Sequence, residues 1–317
     1  MTLKKDVLWA VLINMVLTAC AFAQGELSVP PDLATISSAF LPDSSSAPEF
    51  ILIQDVHHHA EVQGKIANLI LYGYDHWGAR RVFMEGAFSK VDLTVFHRLP
   101  ENERQPLLKR LILEGNLSGP ELAAVMVLER EWRDPPSWPL QLLGMEDARL
   151  YTENLIFFRD LCHQREGALR ELDSLRRLND GMNLPQPNIL GNELALAQSL
   201  LELKLTPQEY DLYRSARSAL PNSPQLAPAL KLAETFYDLV NQRSTAFIKE
   251  SLRKLPAGNG PRVLVVGGFH TTLMTQRLRE EGISFVVLSP TITQSEDHKA
   301  YEKRLMDSID TLDIQLP

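Results

Sequence analysis

Phe50-Ile51-Leu52-Ile53-Gln54-Asp55-Val56-His57 is a strand-like apolar run that stops abruptly at an acid and a histidine. Working outward, a helical pattern starts near Ala60 with Val62, Ile66, Leu69 and Ile70 on one face, and Arg81-Val82-Phe83-Met84 then runs into Glu85-Gly86. Two further runs stop in the same way. Leu140-Gln141-Leu142-Leu143-Gly144-Met145 meets Glu146-Asp147, and Val263-Leu264-Val265-Val266 meets Gly267-Gly268-Phe269-His270. The last part of the pattern is a helix from Thr272 to Glu281, Gly282 as its stop, and a strand over 284–288 ending at Pro290. Alternating strands and helices imply parallel pairing. The expected fold class is therefore α/β, a mostly parallel sheet flanked by helices.

Helical patterns also cover about 103–114 and 119–131. The second opens with the capping box Ser118-Gly119-Pro120-Glu121 and is ended by Asp134-Pro135-Pro136. Beyond the third strand, a long charged pattern over 147–179 is followed by helices near 190–204, after Thr206-Pro207-Gln208-Glu209, and over 226–254. This stretch holds no convincing strand. It reads as a large all-helical insertion, residues 148–255, lying over the strand ends as a lid or arm, with the α/β core formed by 49–147 and 256–317.

The N-terminus reads as an export signal over residues 1–23: Lys4 and Lys5, an apolar stretch from Val7 to Ala19, then two rival cleavage sites. Leu17-Thr18-Ala19-Cys20 fits a bacterial lipobox with Cys20 as the lipidated residue, and Ala21-Phe22-Ala23 fits ordinary cleavage before Gln24. Either way the expected location is outside the cytoplasm of a bacterium, periplasmic or held on a membrane face by a lipid anchor. Residues 24–48, rich in Pro, Ser and Ala, read as a flexible tether. About 295 residues remain after cleavage, enough for one large domain or a core with an insertion. The formal charge is −8, and removal of Lys4, Lys5 and Asp6 makes the mature chain one unit more negative. Nucleic acid is therefore not an expected partner, since phosphates need a basic face. Cys162, the other cysteine, reads as a half-buried helical thiol.

In an open parallel sheet, ligands and reacting groups collect at the carboxyl ends of the strands. Asp55 and His57, two apart, face the same side of an extended chain and could meet one ligand. His58 and His59 extend the run as metal-site or loop histidines. Gly267 and Gly268 allow a tight turn that would thrust His270 out at the sheet's end, with Thr271 or Thr272 capping the helix. Glu85 at its strand end could ligate metal, orient a histidine or serve as general base. Asp147 reads mainly as a helix cap, Glu146 as a weaker site candidate and Arg149 as an exposed helical arginine. Gly-x-Ser-x-Gly, His-Glu-x-x-His, Walker and Cys-x-x-Cys patterns are absent.

These strand ends resemble the superfamily that joins erythromycin esterases, the ChaN haem-binding lipoproteins and the TraB/Tiki proteins. Its motifs are a strand ending in Gly-Glu-x-His or Gly-x-x-His, a second ending in Glu, and a late one ending in Gly-x-x-His. On these, Asp55 takes the place of the first acid, His57 the first histidine, Glu85 the second acid, and Gly267 and His270 the late motif. Gln54 stands where glycine is usual, and Asp55 is one methylene shorter than the usual glutamate. The resemblance covers 49–147 and 262–290, and the lipobox suits the ChaN branch. It implies two functions. One is a hydrolase of a small molecule or peptide with His57, Glu85 and His270 as catalytic residues, aided by Asp55. The Tiki branch implies a divalent metal on Asp55, His57, Glu85 and His270, with Glu146 a weaker ligand, and the esterase branch a metal-free His and carboxylate pair. The other, implied by ChaN, is capture of haem or an iron-containing ligand without turnover, in a monomer or between the protomers of a homodimer.

Overall fold

The computed structural model of the protein describes residues 27–43, 45, 47–57, 59–132, 139–181, 189–253 and 260–293, with Met306 and Ile309. The export segment with Cys20, His58 and the Asp134-Pro135-Pro136 stop lie outside the described residues. Among those described, six strands form one sheet: β1 (Ala34–Phe40), β2 (Phe50–Asp55), β3 (Arg81–Met84), β4 (Gln141–Gly144), β5 (Arg262–Gly267) and β6 (Phe285–Pro290), in the order β1-β6-β2-β5-β3-β4. The five strands expected from sequence pair in parallel. β1 corrects the expected tether: Ala34–Phe40 adds to the sheet edge, antiparallel to β6. A polar, small-residue strand can hold an edge because its outer face meets water and its backbone needs one partner only. The sheet is therefore mixed, though mostly parallel.

Residue parity along the strands divides the core into two faces. Ile51, Ile53, Val263, Val265, Val286 and Leu288 pack on one side, against α1 (Ala60–His76), α3 (Glu101–Leu113) and α4 (Gly119–Glu131). Phe50, Leu52, Phe83, Leu264, Val266 and Phe285 pack on the other, against the end of α8 (Leu226–Arg253) and α9 (Gly268–Glu280). The short helix α2 (Thr94–His97) had no signal in the sequence pattern.

Between β4 and β5 run α5 (Ala148–Gly181), α6 (Ile189–Leu201), α7 (Pro207–Ala216) and α8. They build a core of their own from Leu161, Leu172, Leu200, Tyr213, Leu230 and Tyr237, among others. The Thr206 capping box forms at α7, and the Ser118 box forms at α4. Two helix readings change. α9 begins at Gly268 rather than Thr272, with Gly267 as N-cap, so neither Thr271 nor Thr272 caps it. His270 consequently sits in the first helical turn and is buried, not thrust outward. Among the described residues no helix is long and apolar enough to cross a membrane.

Candidate active site

β5 lies between β2 and β3, so Gly267 ends between Asp55 and Glu85. This order of strands brings three distant parts of the chain together. The Asp55 carboxylate meets His57 Nδ1 at 2.6 Å, leaving Nε2 to face Glu85 Oε2 across 3.7 Å. His270 Nε2 approaches the other Glu85 oxygen at 3.4 Å. The two imidazoles thus flank one carboxylate. Gly267 N–H donates to Glu85 Oε2 at 3.0 Å, and Gly86, at φ +81, supplies the left-handed turn that follows Glu85. A Cβ at Gly267 would stand 3.6 Å from both Glu85 Oε2 and His57 Nε2, in ordinary contact with each.

Each sequence candidate can now be placed. Asp55, His57, Glu85 and His270 share the site. Glu146 is buried and joins through an arginine described below. Asp147 caps α5, accepting from Leu150 N–H at 3.0 Å, and Arg149 is exposed and paired with Glu153. His59 is buried at the start of α1, and Cys162 is a half-buried residue of α5.

Three participants gave no sequence signal. Arg243 of α8 is 5% exposed and reaches across the helical layer to bond Glu85 Oε1 at 3.0 Å, Glu146 Oε1 at 2.5 Å and Asn154 Oδ1 at 3.0 Å. Gln63, buried in α1, donates to Asp55 Oδ1 at 2.6 Å and accepts from Gly119 N–H at 2.7 Å, which ties the Asp55–His57 pair to the start of α4. Ser244 Oγ lies 2.8 Å from His270 Nδ1. One arginine, one glutamine or one serine among many looks ordinary in a linear pattern. The only usable signal was Arg243 and Ser244 lying on the buried face of α8.

The charges follow from this packing. Burial works against an imidazolium at His57, but Asp55 and then Glu85 outweigh it and hold its pKa well above the ordinary histidine value. Burial likewise disfavours a carboxylate at Glu85, yet His270 and His57 outweigh it and hold that acid well below its usual range. Arg243 stays protonated against its own burial because Glu85 and Glu146 face it.

The donor set suits neither implied cofactor. Among the described residues no group of three or more His, Cys, Asp or Glu is arranged to hold a metal ion. The Arg243 guanidinium already stands where a cation would bridge Glu85 and Glu146, and a second positive centre beside it would be repelled. A haem iron needs an imidazole nitrogen aimed at open space, whereas Nε2 of both His57 and His270 faces Glu85. The site does open into a cleft of about 750 Å³, lined on α5 and α8 by Leu155, Phe158, Phe236 and Val240 beside Tyr151, Asn154 and Arg243. No family model, curated protein or solved structure matches the chain.

Proposed function

We propose that the protein is a metal-independent hydrolase in which the Asp55–His57 pair activates water beside Glu85. The observation that carries this reading is the 2.6 Å Asp55–His57 contact with Nε2 left facing Glu85 across 3.7 Å at a cleft floor. That separation is too long for a hydrogen bond but allows a water to sit off the line and bond both groups. With Nδ1–H held by Asp55, neutral His57 takes the water proton at Nε2 as hydroxide attacks the scissile carbonyl. The resulting imidazolium is stabilised by both carboxylates and returns the proton to the leaving group. Glu85 orients the water, and His270 and His57 keep Glu85 ionised while Arg243 bonds its other oxygen. The positive end of α9, at Gly267 and Gly268, favours the charge that develops on the carbonyl oxygen. Residues 148–255 then serve as a cap over the catalytic floor, and the N-terminal signal would direct the enzyme out of the cytoplasm.

The test is hydrolysis of p-nitrophenyl esters by protein treated with chelator. Retained turnover that falls at least about 10²-fold in both His57→Ala and Glu85→Gln is expected. Turnover abolished by chelation and restored by a divalent metal would instead return the metal-dependent version of the hydrolase.

A further inference from the structure

Resting on the hydrolase reading, we infer that the substrate is an uncharged ester with a medium-length apolar acyl chain, seated against the helical wall of the cleft. Two independent observations carry this.

The first is what lines the cleft. Besides Asp55, His57 and Glu85, the cleft is lined by Leu155, Phe158, Leu203, Phe236, Val240 and Phe269. A volume near 750 Å³ lies in the range that encloses a drug-sized ligand, far more than a two-carbon acyl group fills. The cations at the cleft are already committed. Arg243 is bound by Glu85 and Glu146, and Lys204 pairs with Glu202 at 2.7 Å. A phosphate or carboxylate on the substrate would find these cations paired and Asp55, Glu85 and Glu202 facing it.

The second observation is backbone strain in that wall. Leu203 has φ +55, in the left-handed region, and is the only such non-glycine among the described residues. It stands just past the end of α6, where Lys204 N–H bonds Ser199 C=O at 2.8 Å, a helix stop that normally takes glycine. A leucine there is costlier for the backbone than glycine would be. Its side chain both lines the cleft and packs on the helical core. The wall therefore carries an apolar group at a position where local geometry favours none.

Initial rates with p-nitrophenyl acetate, butyrate, octanoate and hemisuccinate test the inference, together with calorimetric titration of 2-butanone and 2-nonanone as uncharged, unhydrolysable probes. kcat/KM is expected to rise about threefold per added methylene, and hemisuccinate to be a poorer substrate than butyrate by about tenfold. Leu203→Gly removes the wall group while relieving the backbone. It is expected to fold and to lower the octanoate-to-acetate ratio at least fivefold. Rates that are flat or fall with chain length, or a preference for hemisuccinate, would overturn the inference. Tighter binding of 2-nonanone than of 2-butanone by protein that hydrolyses none of the esters would uphold the apolar site and overturn the hydrolase reading. Equal or absent binding of the two ketones with no hydrolysis would overturn both.

Discussion

His57 gains its character from partners rather than from its own chemistry. Asp55 is close enough to fix the tautomer, and Gln63 fixes Asp55 in turn through its second oxygen. Because the carboxylates raise the proton affinity of His57, it becomes a base only as pH rises through that raised value. The rate in kcat/KM should therefore climb on the alkaline side. Asp55→Asn removes the first of the two raising charges, so the climb should move to lower pH while the plateau falls by about 10²-fold or more. A pH profile of kcat/KM for both proteins checks this, and an unmoved limb would show that His57 is not the titrating base. The same raised value acts on stability with a definite sign. The imidazolium contributes in full below the ordinary histidine pKa and its contribution is lost as pH rises through the folded value, so alkaline conditions that favour turnover weaken this contact. Activity and local stability oppose each other here.

At the scale of elements, the site depends on where helices begin. α4 starts at the Ser118 capping box, and the N–H of its first residue, Gly119, holds Gln63. α9 starts at Gly267, whose N–H holds Glu85, so the histidine three residues on lies inside the first turn and is drawn into the core. A sequence reading that sets Thr271 or Thr272 as the cap misses this because threonine and glycine are comparable caps in isolation, so nothing local singles out Gly267. Here the Glu85 carboxylate, from another strand, helps satisfy the terminal N–H groups and makes a side-chain cap unnecessary. α7 behaves locally, by contrast: Thr206 accepts from Glu209 N–H at 3.3 Å, and the Glu209 carboxylate bonds back to Thr206 N–H at 2.8 Å. Thr206→Ala should cost about 1 kcal/mol of stability in urea denaturation with little change in turnover. A large loss of turnover would mean that α7 positions the cleft wall more directly than its own capping implies.

Among the described residues, two cores share α8 and meet at the buried Arg243 contacts. The sheet and its flanking helices form one, α5 to α8 form the other, and α8 belongs to both, with Tyr237 in the helical core and Phe247 on the sheet. Arg243 lies between these two residues of α8 and bonds carboxylates from the ends of β3 and β4. Replacing it leaves Glu146 buried without its counter-charge and takes one from Glu85, which keeps His57 and His270; breaking such a buried pair typically costs about 3–5 kcal/mol. Arg243→Gln should show that loss in urea denaturation at neutral pH. A cost below about 1 kcal/mol would mean that the carboxylates find other partners and that the guanidinium is not what joins the layers.

The linear chain by itself determined the α/β class, five parallel strands and most helix bounds, because apolar periodicity and capping residues act over a few neighbours. It also marked Asp55, His57, Glu85 and His270, since a polar stop after a buried run is a local event. Tertiary structure alone decided that β5 would lie between β2 and β3, that Ala34–Phe40 would join the sheet edge, and that Arg243, Gln63 and Ser244 would complete the site. Most of those outcomes depend on contacts between distant residues, 158 positions apart for Arg243 and Glu85 and 252 for Ser289 and Ser37, and no short window of sequence contains both partners.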